Sequence, residues 1–149
     1  MAIKSDGETA ERLTRRRARM LPVVAVAFIS QQAAFLAGRE GEAMRTVDQV
    51  QIGAWLLLSV ALVLALATGG FWFRSAKVRA LMEDEVTRAN RAEAFRIGFL
   101  ATMAGAIAVY VLTLLEPVTG REAVHLLMSI GIAAALLRFG VLERRALKE

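Results

Sequence analysis

The sequence predicts an all-α integral membrane bundle of four transmembrane helices. Both termini are expected in the cytoplasm, with a cytoplasmic helical extension between spans two and three. Three observations predict this. The chain has 149 residues, 56% of them hydrophobic, with a mean hydropathy of +0.48 and two prolines, a balance that suits a single membrane domain. Four stretches, 20–37, 52–73, 97–115 and 123–142, are apolar over close to the roughly 20 residues a helix needs to cross about 30 Å of hydrocarbon. Finally, 16 of the 19 Lys and Arg residues lie in 1–19, in 74–96 and at the end of the fourth stretch and beyond it, and only Arg39, Arg45 and Arg121 lie in the other two loops. Basic residues mark the cytoplasmic side. With acids included, the two sides carry +7 and −2.

The segment 1–19 is a basic tail ending in Arg15-Arg16-Arg17-Ala18-Arg19. A basic run before an apolar one also describes a signal peptide, but this apolar run is long and "FLAGRE" is a poor cleavage site, so span one is read as retained. Span one carries Gln31 and Gln32. Amides in hydrocarbon need partners, and adjacent positions point about 100° apart, so at least one should face another helix. Interhelical bonding and a polar ligand site both fit.

Span two is expected to run past residue 73 through Val78 and Leu81. A break then falls near Met82–Asp84, with Asp84 as N-cap and Glu85 in the first turn of the next helix, where the dipole favours acid. From there nothing interrupts a helix until Pro117, about 48 Å at 1.5 Å per residue. Its cytoplasmic part places Val86, Ala89, Ala92 and Phe95 on one stripe, with Arg88 and Arg91 facing away and Glu93 spaced to pair with Arg96. The segment 74–96 thus reads as a helical hairpin. Asp84, Glu85, Val86, Arg88, Ala89, Arg91, Ala92 and Phe95 are its candidate contact residues. Anionic headgroups, a cytoplasmic protein or a second copy of the chain would each suit it.

"EPVTGRE" is a tight turn in which Pro117 ends helix three and Gly120 eases the backbone, making spans three and four antiparallel neighbours. In span four, His125 lies one turn inside the outer interface, where neutral packing, a headgroup contact or proton handling can be imagined. Arg138 is near enough to the span's end to snorkel. Small residues four apart, at Ala101/Gly105, Ala104/Ala108 and Gly131/Ala135, favour close helix contact and dimerisation. Trp55, Trp72 and Tyr110 are placed as interfacial belt residues.

Several chemistries lack residues. The chain has no cysteine and a single histidine, which removes thiol chemistry, disulfides and a bis-histidine haem within one chain. No triad, phosphate loop or carboxylate pair within the spans can be assembled, so no enzyme, metal or cofactor is expected. The size resembles that of small multidrug-resistance exporters, but those depend on a glutamate inside span one, and here no span contains Asp or Glu. Direct nucleic-acid binding is not expected, because the basic residues are accounted for by topology. What remains is an interaction or regulatory protein that docks a partner or second copy through 74–96. The alternative is a small channel or transporter subunit acting as an oligomer.

Across 82–99, "MEDEVTRANRAEAFRIGF", the residues Asp84, Glu85, Thr87, Arg88 and Ala94 form a pattern similar to an Asp-Glu-x-Thr-Arg element of small bacterial inner-membrane proteins of uncharacterised function. In those proteins a charged linker leads straight into an apolar span, and arginine more often stands where this chain has Val86. The resemblance implies the bacterial inner membrane as location and a cytoplasmic position for the linker.

Overall fold

A computed structural model describes residues 6–37, 46–69 and 85–147. The described residues form four helices and no strand: α1 (Asp6–Ala37), α2 (Thr46–Thr68), α3 (Glu85–Thr113) and α4 (Gly120–Ala146). α3, α4 and the Val50–Thr68 part of α2 are long and apolar enough to cross a membrane. α1 is continuous for 32 residues, so the basic segment is helical from Asp6 and leads directly into the apolar run. Its composition explains this, because Arg, Glu, Ala and Leu lose little freedom in a helix.

α4 is the central helix. α3 packs along it most extensively, α1 next and α2 least. Gly98 faces Gly131 and Ala135, Gly105 faces Ile130, and Pro22 faces Gly140, so α3 and α1 both run antiparallel to α4. The buried core is small: Ala25, Phe28, Trp55, Leu66 and Ala94 gather around Ile132, Ala133, Ala135, Leu136 and Phe139 of α4. Large apolar side chains instead point outward, among them Leu57, Val60, Phe99, Ile107 and Tyr110. Only 17% of the most apolar window of α2 or α3 is buried, against 44% for α4. Such a surface would associate strongly in water, whereas lipid tails are as apolar as the side chains.

The α3–α4 seam depends on absent side chains. A Cβ on Gly98 would lie 2.9 Å from both the Ala135 Cβ and the Gly131 carbonyl oxygen. Thr102 Oγ1 occupies the space beside Gly131 and donates to the Gly98 carbonyl at 2.9 Å. Two of the three small-residue pairs thus serve this intrachain seam: Gly105, Gly131 and Ala135 contact the opposing helix or lie close to it, and Ala101 is half-buried. Ala104 and Ala108 remain exposed.

The helix ends differ from expectation in three places. α2 stops at Thr68, because Gly69 adopts a φ of 75°, the left-handed conformation that ends helices at glycine. Val78 and Leu81, through which span two is expected to run on, lie outside the described residues. The Arg91 guanidinium of α3 donates to the Ala67 carbonyl at 3.1 Å, placing a cation on the negative end of α2. Residues 70–84, including Asp84 and Trp72, lie outside the described residues, so the hairpin is represented here only by the first three turns of α3.

α3 itself ends at Thr113, before Pro117. Leu114 and Leu115 donate to carbonyls three residues back, those of Val111 and Leu112, a tightening common in a last turn. The residue before a proline is also biased away from helix.

Gly120 is the first residue of α4 rather than a left-handed turn residue. Thr119 caps the helix. Its Oγ1 accepts from the Glu122 N–H at 3.3 Å, and the Glu122 carboxylate accepts from the Thr119 N–H at 3.0 Å. This reciprocal box is encoded by the Thr-x-x-Glu spacing. Thr119→Ala is expected to lower stability by about 1 kcal/mol, measured as a fall in the unfolding midpoint in detergent.

Candidate functional site

At the end of the bundle where α1 carries its arginines, three helices meet around a buried ion pair. Arg17 of α1 donates to the carboxylate of Glu143 on α4, and the two side chains are only 6% and 2% exposed. α3 completes the cluster. Arg17 also reaches Thr87 Oγ1 at 3.4 Å, and Asn90 Nδ2 donates to the other Glu143 oxygen at 3.4 Å. The guanidinium carbon lies 5.3 Å from the centre of the Phe139 ring, within range for a cation–π contact. Each charge is compensated where water is excluded, which is the condition for keeping either one buried.

A second tie lies one residue further along both helices. Pro22 sits inside α1 and has no N–H, so Ala18 loses the helical donor four residues on. Arg144 of α4 replaces it: its Nε donates to the Ala18 carbonyl at 3.0 Å. The proline ring fits because Gly140 faces it; a Cβ there would lie 2.9 Å from both Pro22 Cγ and Cδ. Further along, Arg138 donates to Glu93 of α3 at 3.3 Å. The arginine expected to snorkel is therefore held by a neighbouring helix. Glu93 also accepts from Arg96 at 3.4 Å, the i,i+3 pair expected from spacing.

The opposite half of the bundle contains a set of buried polar side chains. His125 stacks on Trp55 with centroids 4.1 Å apart and planes 25° from parallel. Both rings are buried, so Trp55 is a core residue and not an interfacial one, whereas Tyr110 is 68% exposed. Gln32 is buried and Gln31 exposed. From the contact of Pro22 with Gly140, Gln32 reaches the level of Ile130. From the contact of Trp55 with His125, buried Ser59 comes level with Ser129. The side-chain polar atoms of Gln32, Ser59 and Trp55 have no hydrogen-bond partner among the described residues, which leaves hydrogen-bonding capacity unspent there. Ser129 donates back to the His125 carbonyl at 2.7 Å.

On α3, Glu85, Val86, Arg88, Ala89, Ala92 and Phe95 are all exposed. Arg88 shares the open side with Ala89 and Ala92, while half-buried Arg91 turns to α2. Thr87, Ala94 and Gly98 are buried, Gly98 against Gly131 and Ala135 of α4 and Thr87 beside Arg17 of α1. Among the described residues, no group of three His, Asp or Glu side chains could hold a metal ion.

No protein-family model matches this chain, and no curated protein or solved structure does. The roles of these residues therefore rest on their own geometry. Sequence reasoning missed Arg17, Glu143 and the Pro22–Gly140–Arg144 contact. Only the proline carried a signal, since a proline within a span leaves a carbonyl to be satisfied by a neighbour.

Proposed function

We propose that the chain is a four-span protein of the bacterial inner membrane, with both termini cytoplasmic, that works by docking a second copy of itself through α3. The observation that carries this reading is one-sided packing. α3 meets α4 along one face and leaves Val86, Ala89, Ala92 and Phe95 open, and Ala104, in line with Val86, and Ala108 are open within the apolar window. A soluble protein could reach the first group but not the second, because the second lies at hydrocarbon depth. A second membrane-embedded copy reaches both, and small residues let helix backbones approach where no hydrophobic drive exists between helices. Mixed charge at Glu85, Arg88, Glu93 and Arg96 lets the same surface face itself. Span one at 20–37 and the inside-positive charge balance support the topology.

The chain's lack of cysteine makes the test direct. Ala92→Cys or Ala104→Cys in native membranes is expected to give a cross-linked dimer with a short bis-maleimide, and Val60→Cys on the outer face of α2 is expected to give none. A membrane-impermeant maleimide should label Ala89→Cys from the cytoplasmic side only. Monomer at every position would overturn the dimer, and cross-linking to a soluble protein at Ala92 alone would replace the second copy with a cytoplasmic partner. The unspent hydrogen-bonding capacity of Gln32, Ser59 and Trp55 favours a second reading, an oligomeric channel or transporter subunit. Ion flux in liposomes that Gln32→Leu abolishes would support that alternative.

A further inference from the structure

A cavity of about 400 Å³ opens between α1, α2 and α4. It lies where α2 packs only sparsely on α4. Its walls are apolar, with Leu21 and Val24 on one side, Leu62 and Ala65 on the other, and Leu136 and Phe139 at the back. Two arginines, Arg16 and Arg17, also line it. Arg17 is committed to Glu143. Arg16 is exposed and pairs with no carboxylate among the described residues.

Arg16 and Met20 also border a second, open groove of about 490 Å³ whose other residues are Glu8, Glu11, Arg12, Arg15 and Arg19. Arg15 is held by Glu11 at 2.6 Å, which leaves this groove cationic. An apolar slot therefore adjoins a cationic shelf, and Arg16 belongs to both. The slot is also of the size that holds small ligands.

We infer that this is a binding site for one anionic phospholipid, with an acyl chain in the α1–α2–α4 slot and the phosphate on Arg16. Charge complementarity selects the occupant: the shelf offers guanidinium donors suited to phosphate oxygens. The position of the slot also matches, because the arginines flank the start of an apolar helical run, where headgroups meet acyl chains. The inference rests on the membrane reading above but not on the dimer.

The test uses the purified full-length chain in a mild non-ionic detergent, with phosphatidylglycerol or phosphatidylcholine added. Phosphatidylglycerol is expected to raise the unfolding temperature and to remain bound in native mass spectra; phosphatidylcholine should do neither. Arg16→Gln, at an exposed position, and Ala65→Trp, which fills the slot, should each abolish the phosphatidylglycerol shift. Equal effects of the two lipids, or a shift that survives Arg16→Gln, would overturn the site. If Ala65→Trp does not fold, Arg16→Gln alone decides. A chain that stays soluble and monodisperse without detergent would overturn the membrane reading and the lipid site together.

Discussion

Glu143→Ala is expected to destabilise the bundle by about 3–5 kcal/mol, because it leaves Arg17 buried without its carboxylate. The loss should appear as a large fall in the unfolding midpoint in detergent, with Arg17→Ala producing a fall of similar size. The pair itself need not be worth that much. Two charges removed from water lose hydration that their attraction repays only in part, and an apolar replacement of similar volume is often neutral or better. The double variant Arg17→Met with Glu143→Leu is therefore expected to recover most of the stability lost by either single change. A double variant as unstable as the singles would show that Thr87, Asn90 and Phe139 draw more from the pair than charge compensation. The singles should also loosen all three helices together, since Arg17, Thr87 with Asn90, and Glu143 belong to α1, α3 and α4.

Gly98→Ala is expected to lower stability although alanine is the better helix former. The added methyl group would lie 2.9 Å from the Gly131 carbonyl oxygen and the Ala135 Cβ, so α3 and α4 must part along their seam. Overpacking of this kind costs about 1–3 kcal/mol. Gly53→Ala on α2 provides the contrast, because a Cβ there meets nothing within 4 Å, and the gain in helix propensity should be about 0.5–1 kcal/mol. Thermal unfolding of the two variants beside the parent should give shifts of opposite sign. Equal shifts would mean that the seam opens freely, and the central place of α4 would then need revision.

The sequence made the helices visible, but their ends and partners far less so. Long apolar runs are local properties, and each of the four expected spans lies largely within one of the four helices. Ends were misjudged where one residue overrides composition. The left-handed Gly69 ends α2 short of the expected extension, and the Thr119–Glu122 box starts α4 three residues before the apolar run read as span four. In the candidate site, the sequence indicates that at least one of Gln31 and Gln32 faces another helix but not which; the structure buries Gln32 and exposes Gln31. The arginine run and "LERR" look like ordinary solvated charge when read alone. What makes Arg17 and Glu143 a buried pair is a contact across 126 residues, and no window of sequence contains both partners. Trp55 shows the same limit. Its place near a span end suggests an interface, and only the position of His125 on another helix makes it core.

The contact between Ala18 and Arg144 also has a consequence in time. α1 is synthesised first, yet its backbone is not fully bonded at Pro22 until a guanidinium made 126 residues later arrives. Until then the Ala18 carbonyl lacks the donor that Arg144 supplies. An unfinished chain thus carries a polar defect in its leading helix, which the arrival of α4 removes. The last helix supplies a backbone hydrogen bond that the first cannot make for itself.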